Sequence, residues 1–157
     1  MPADLLGTAD LVYTGKGAVP WVRSIARWAE VITNLLRPGG YLYVYEGHPL
    51  DWIWEPGADS HRLHAIRSYF DDNPRANEDF PAQAVERYRA HAEPPPLAWE
   101  YHWTLGEIVS AILRAGLELK ALDEHSEHYW ARFPDIPADE VERVPHTFSM
   151  LARRRTA

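Results

Sequence analysis

Apolar residues in this chain fall into short unbroken runs and longer helical stripes, and their order sets the expected architecture. Asp10-Leu11-Val12-Tyr13-Thr14 is a short apolar run closed by Gly15-Lys16-Gly17 and reads as a buried strand. From Pro20, suited to the first turn of a helix, Trp21, Ile25, Trp28, Ala29, Ile32, Leu35 and Leu36 recur at helical spacing. Arg23, Arg27 and Glu30 take the other face, which predicts an amphipathic helix from Pro20 to Leu36. Pro38 lacks an amide hydrogen and restricts the residue before it, so the helix stops there, and Gly39-Gly40 supplies the positive φ of a tight reversal. Tyr41 to Tyr45 follows without polar alternation, the pattern of a central strand covered on both faces.

Strand, helix and strand in this order form a βαβ crossover with parallel strands. Gly15-Lys16-Gly17 and Glu46-Gly47-His48-Pro49 therefore emerge at strand carboxyl ends, where open α/β sheets bind ligands. Beyond Asp51 the pattern weakens. Asp71-Asp72-Asn73-Pro74 and Pro94-Pro95-Pro96 punctuate two modest amphipathic pieces, His61 to Phe70 and Gln83 to Ala92. A connection of that length in a compact domain reads as a functional cover or binding insert, with disorder as the alternative. Thr104-Leu105-Gly106-Glu107 is a capping box, with Trp103 and Ile108 spaced as a hydrophobic staple. Leu105, Ile108, Val109, Ile112 and Leu113 form the stripe of that helix, and Ala115-Gly116 ends it. Leu117 to Leu122 is an alternating strand with Leu117, Leu119 and Ala121 on one face, and His146 to Arg153 is the last strand. Between those strands, Asp123 to Pro145 reads as an irregular connection.

With 46% hydrophobic residues, the chain is expected to be one domain over 1–157. Within it, 1–50 is a βαβ unit, 51–102 an insert or cover, and 103–157 a helix with a carboxyl-terminal strand pair. A formal charge of -7 argues against nucleic-acid binding, and Arg153-Arg154-Arg155 reads as a solvated tail. The absence of cysteine removes disulfides and thiolate chemistry and fits a cytoplasmic setting. No apolar run reaches the length of a membrane span.

The succession Asp10 to Gly15, an aromatic-rich helix, Leu36-Arg37-Pro38-Gly39-Gly40 and a strand ending Glu46-Gly47-His48-Pro49 resembles the second half of a class I S-adenosylmethionine-dependent methyltransferase. Trp103 to Val109, Ala115-Gly116-Leu117 and Glu124-His125 resemble the later part of one bacterial subgroup, so the likeness runs along nearly the whole chain. It implies an α/β fold: a partial Rossmann-like sheet holding strands four to seven, the last pair antiparallel, with flanking helices and a long insert. It also implies that Tyr13, Thr14 and Gly15 line the methionine end of the cofactor, S-adenosylmethionine.

The family's glycine-rich turn after strand one and acidic residue ending strand two have no counterpart here. In Gly15-Lys16-Gly17 the third glycine of a G-x-G-x-x-G pattern would fall at Pro20, so a strand-terminating turn is favoured over a direct cofactor contact. Weak or absent cofactor binding is therefore expected of this chain by itself. His48 is a candidate general base with Glu46 orienting it, or else a turn cap. If both face the ligand end as exposed site residues, their replacement should barely change stability. Trp52, Trp54, Trp99 and Trp103 are candidates to line a small-molecule acceptor pocket, with core packing as the alternative for Trp99 and Trp103. Glu124, His125, Glu127 and His128, together with Glu46 and His48, offer metal donors, but His-x-x-His on an irregular loop is common and no metal is expected. The functional expectation is methyl transfer to a small acceptor; the alternative is a non-catalytic remnant that dimerises or binds a partner. Strand Asp10 to Thr14 carries no edge-protecting charge or proline on Leu11, Val12 and Tyr13, so a homodimer that closes across that edge or buries the faces next to it is expected.

Overall fold

The computed structural model describes residues 2–54, 65–77, 97–129, 133 and 135–156. In chain order its elements are β1 (Ala9–Gly15), α1 (Ile25–Leu35), β2 (Leu36–Gly47), β3 (Arg75–Asn77), β4 (Ala98–Glu100), α2 (Leu105–Arg114), β5 (Leu117–His125), α3 (Ala138–Val141) and β6 (Thr147–Arg154). The main sheet has the order β1-β2-β6-β5. β1 and β2 are parallel neighbours joined through α1, and β6 runs antiparallel to both β2 and β5. This is the expected partial Rossmann-like sheet. β3 and β4 form a separate antiparallel pair.

Local chemistry moves several element bounds. α1 begins not at Pro20 but after Ser24, whose hydroxyl accepts the Arg27 amide; Val19–Trp21 is instead a short 3-10 turn. Leu36 already belongs to β2. Pairing steps from Ala9 to Leu11 in β1 while β2 advances from Leu36 to Tyr41, so Arg37-Pro38-Gly39-Gly40 is accommodated as a bulge, with Gly39 at φ +78°. α2 carries the capping box: the Thr104 amide donates to Glu107 Oε2 at 2.8 Å and the Glu107 amide returns to Thr104 Oγ1 at 3.2 Å. Ala65 to Phe70, expected as part of a helix, contains a bridge to Trp54 and a turn; 61–64 and Gln83 to Ala92 lie outside the described residues.

α1 and α2 pack side by side on one face of the sheet. Ile25, Ala29 and Ile32 from α1 and Ile108, Ala111 and Ile112 from α2 close over Leu42, Val44, Phe148, Met150 and Ala152. In α2 it is Ala111 that is buried, while Leu113 is half exposed. The expected coverage of β2 on both faces is not found: Leu42 and Val44 point into the core, whereas Tyr41 and Tyr43 lie opposite Leu11 and Tyr13 on a face that leaves all four exposed. An aromatic run hides this alternation because tyrosine suits either face. β5 has its own irregularity. Leu119 pairs with Ala152 and Ala121 with Leu151, so the extra Lys120 flips the alternation and Leu122, not Ala121, packs on the core. Of the terminal arginines only Arg155 is exposed as a solvated tail would be; Arg153 and Arg154 are not. Arg154 donates to the carbonyls of Thr33 and Leu36, tying β6 to the end of α1, and Arg153 lies over the Tyr41 ring.

Candidate functional site

Glu46 and His48 end β2 at the carboxyl edge of the parallel pair. Glu46 is 1% exposed, and its carboxylate is filled from the turn after β1: the amides of Gly17, Ala18 and Val19 donate at 2.6, 2.9 and 3.1 Å. Lys16 and Gly17 both adopt positive φ, which turns these successive N–H groups inward as an anion nest. Burial raises the Glu46 pKa, and the amides oppose that rise without cancelling it. The nest that could have met a ligand oxyanion is thus occupied by the chain's own carboxylate.

His48 is 4% exposed and does not bond to Glu46. Its Nδ1 accepts the Leu50 amide at 3.0 Å, which leaves Nε2 to donate to Glu124 at 2.7 Å. Burial lowers its pKa, with Glu124 pulling the other way. It caps the turn Pro49–Ile53, which carries Asp51. Asp51 Oδ1 meets His146 Nδ1 at 2.6 Å and His128 Nε2 at 3.2 Å, while His146 Nε2 donates to the Val141 carbonyl at 2.7 Å. The ligand atoms of Asp51, His128 and His146 lie within 4.8 Å of one another. The two imidazoles are stacked, 3.7 Å apart and 24° from parallel. Imidazole lone pairs lie in the ring plane, so rings stacked in this way cannot both aim at one ion between them, and the arrangement fits two imidazoles sharing a carboxylate. Sequence reasoning missed this cluster because Asp51, His128 and His146 come from three separate segments.

A cleft opens beside Glu46 and Gly47, between the turn after β1 and the insert. The insert is fastened at its far end: the Tyr101 amide donates to the Pro20 carbonyl at 2.7 Å and Trp103 Nε1 to the Val22 carbonyl at 2.8 Å. Trp52 and Trp103 line the cleft with Arg67, Arg75, Glu100, Tyr101 and His102. Of the other two candidate tryptophans, Trp99 is half exposed on β4 and Trp54 bridges to Ala65, and neither is among the described lining residues. His102 is held by the Tyr69 carbonyl at 2.9 Å. Burial lowers its pKa, the hydrogen bond to Tyr69 opposes this, and the charges of Arg67 and Arg75 lower it further. Arg67, Arg75 and His102 gave no sequence signal, since basic residues in an irregular insert follow no period.

Tyr13, Thr14 and Gly15 form the end of β1, with Tyr13 54% exposed and stacked on Tyr43 at 6.1 Å. A Cβ on Gly15 would come within 2.4 Å of the Tyr45 carbonyl oxygen and 2.6 Å of the Tyr13 hydroxyl, so that glycine is required by the chain's own packing. With the nest filled by Glu46 and Gly15 packed against its neighbours, the described residues do not assemble a cradle for the carboxylate and ribose of S-adenosylmethionine.

Neither a protein-family model nor a curated protein matches the sequence. Solved structures do match in fold. An S-adenosylmethionine-dependent methyltransferase from Mesorhizobium loti superposes at a TM-score of 0.64 with 22% identity, over 95% of this chain and 63% of its own. One from Methanosarcina mazei gives 0.56 and 12% identity over 97% and 62%. Geranyl diphosphate C-methyltransferase from Streptomyces coelicolor, in complex with Mg2+, geranyl diphosphate and S-adenosyl-L-homocysteine, gives 0.50 and 13% over 95% and 48%. This chain therefore spans less than two thirds of the length of these structures, and its fold is that of the class I methyltransferases.

Proposed function

We propose that this chain carries the acceptor side of an S-adenosylmethionine-dependent methyl transfer to a small molecule. The observation that carries the reading is the cleft at the carboxyl ends of β1 and β2, walled by Trp52 and Trp103 and roofed by the insert. Ligands of open α/β sheets bind at that edge, and the fold likeness supports the reaction class. In methyl transfer the protein's main task is to align donor and acceptor, and alignment alone supplies much of the acceleration. On this reading Glu46 and His48 are not base and orienter. Glu46 holds the turn that forms one wall, and His48 fixes the start of the Pro49–Ile53 turn that presents Trp52. S-adenosylmethionine is the donor, bound only very weakly by these residues by themselves, and the protein acts in the cytoplasm. Among the described residues no helix is long and apolar enough to cross a membrane.

The test is to read the nucleotides upstream of the Met1 codon and, where an in-frame strand and glycine-rich turn are encoded, to express the extended chain. Transfer of a labelled methyl group by the extended form supports the proposal. An upstream stop codon, together with no methyl transfer by the chain as it stands, overturns it. That outcome favours a second reading, a non-catalytic partner-binding module, for which the exposed face of Leu11, Tyr13, Tyr41 and Tyr43 is the specific support.

A further inference from the structure

His102 lines the cleft from a short stretch that is pinned on both sides. The Tyr101 amide donates to the Pro20 carbonyl at 2.7 Å and Trp103 Nε1 to the Val22 carbonyl at 2.8 Å, so the residue between them is fixed against the turn after β1. Its ring is fixed as well. Tyr69 meets it edge-on at 5.7 Å and 83°, and the hydroxyl of the same tyrosine accepts the Leu105 amide at 3.0 Å at the start of α2. The partner of His102 Nε2 is the Tyr69 carbonyl at 2.9 Å, and a carbonyl can only accept. Nε2 therefore carries the hydrogen and Nδ1 keeps its lone pair, while burial lowers the pKa and so favours the neutral ring. Nδ1 has no partner among the described residues. It points across the ring away from the Tyr69 carbonyl. Tyr69 borders a different depression, with Phe70 and Asp71, and is not among the described residues of the cleft, so the lone pair is turned to the cleft's interior.

The charged groups of the described lining balance in number and are engaged elsewhere. Two arginines, Arg67 and Arg75, stand against two glutamates, Glu46 and Glu100. Glu46 accepts the amides of Gly17, Ala18 and Val19, Arg75 donates to Asp71, and Arg67 and Glu100 have interactions of their own. Such a cleft suits a neutral ligand. We infer that the molecule taken by this cleft is a neutral aromatic or apolar compound bearing a hydroxyl or a heteroaromatic N–H, which donates its hydrogen bond to His102 Nδ1 while Trp52 and Trp103 pack on its body. A buried acceptor left without a donor carries the cost of its lost hydration, so a ligand lacking that hydrogen binds less well. Indole rings supply the apolar contact. The inference rests on the methyltransferase reading for calling this ligand the methyl acceptor, and it adds a consequence: methylation replaces the O–H or N–H hydrogen, so the product loses its bond to Nδ1.

The experiment is a binding titration of the full chain near neutral pH, followed through the indole N–H resonances of Trp52 and Trp103 and the imidazole nitrogen resonances of His102. The probes are phenol with anisole and indole with N-methylindole, each pair differing by the methyl group on the donor atom. Phenol or indole should bind at least about tenfold more tightly than its methylated counterpart, and the pair with the larger gap identifies the group that is read. In the free protein Nε2 should be the protonated nitrogen, and the bound donor should shift the Nδ1 resonance. His102→Gln sets an amide nitrogen where Nε2 stood, which keeps the bond to Tyr69 but removes the acceptor, so the preference should vanish. Equal binding within both pairs, no binding of any probe, a proton on Nδ1 in the free protein, or a preference that survives in His102→Gln would overturn the inference. Because no methyl donor is present, a failed preference leaves methyl transfer standing with a different acceptor group. Failure of methyl transfer leaves a donor-selective cleft in place.

Discussion

The carboxylate of Glu46, on β2, accepts the backbone N–H of Gly17 at 2.6 Å and so fastens the turn after β1 to the end of the neighbouring strand. The amides of Ala18 and Val19 complete the contact, and Val19 with the following Pro20 lines a wall of the cleft. A buried carboxylate thus does here what a ligand oxyanion does in phosphate-binding turns.

Replacing Glu46 by Gln should therefore destabilise the protein. The amide nitrogen of glutamine would face a backbone N–H, leaving a donor against a donor in a buried site. The expected loss is about 2 to 4 kcal/mol in urea denaturation, the scale of charge-assisted bonds lost on burial. The small effect expected from sequence rested on exposure, and burial removes that premise.

Histidines 48 and 102 should contribute to the acid limb of stability. Both are held below the ordinary imidazole value of 6.5, chiefly by burial. Between the lowered value and 6.5 the unfolded chain binds the proton and the folded chain does not, so stability is complete above pH 6.5 and falls as pH drops through that window. Glu46 has the opposite sign: its raised pKa gives a contribution fully present below pH 4.5 that is lost as pH rises through the raised value. Denaturation across this range should show a flatter acid limb for His48→Gln and for His102→Gln. An unchanged limb in both would show that other groups carry it.

Much of this was legible beforehand, and the misses have physical causes. The βαβ unit, the capping box and the order of the carboxyl-terminal strands follow from period and caps, which are local. Ser24 displaced Pro20 as the start of α1 because a hydroxyl cap outweighs a residue that only tolerates the first turn. Glu46 and His48 were found as residues but not as contacts, since their partners Gly17 and Glu124 lie 29 and 76 positions away. The arginines of the cleft belong to an insert without period, where only tertiary placement gives a residue its role.

Thr104→Ala should cost about 1 kcal/mol, because it opens the capping box at the start of α2, with Thr104→Ser retaining most of the stability. Thermal denaturation of the two variants side by side checks this.

Leu11 and Tyr13 on β1 and Tyr41 and Tyr43 on β2 form an exposed apolar strip beside the strand edge that pairs with no other described strand. Such an edge favours self-association, and the expected result of sedimentation is a homodimer that Tyr13→Lys dissociates. A monomer at tens of micromolar would show that the edge is covered from within the chain.

The most direct test of the account is calorimetric titration of the purified 157-residue chain with S-adenosylmethionine. With the turn after β1 closed on Glu46 and no cradle for the donor's carboxylate and ribose among the described residues, binding should be too weak to reach saturation at millimolar ligand. Micromolar affinity would contradict the account, since it would mean that these residues build a complete donor site around the same cleft.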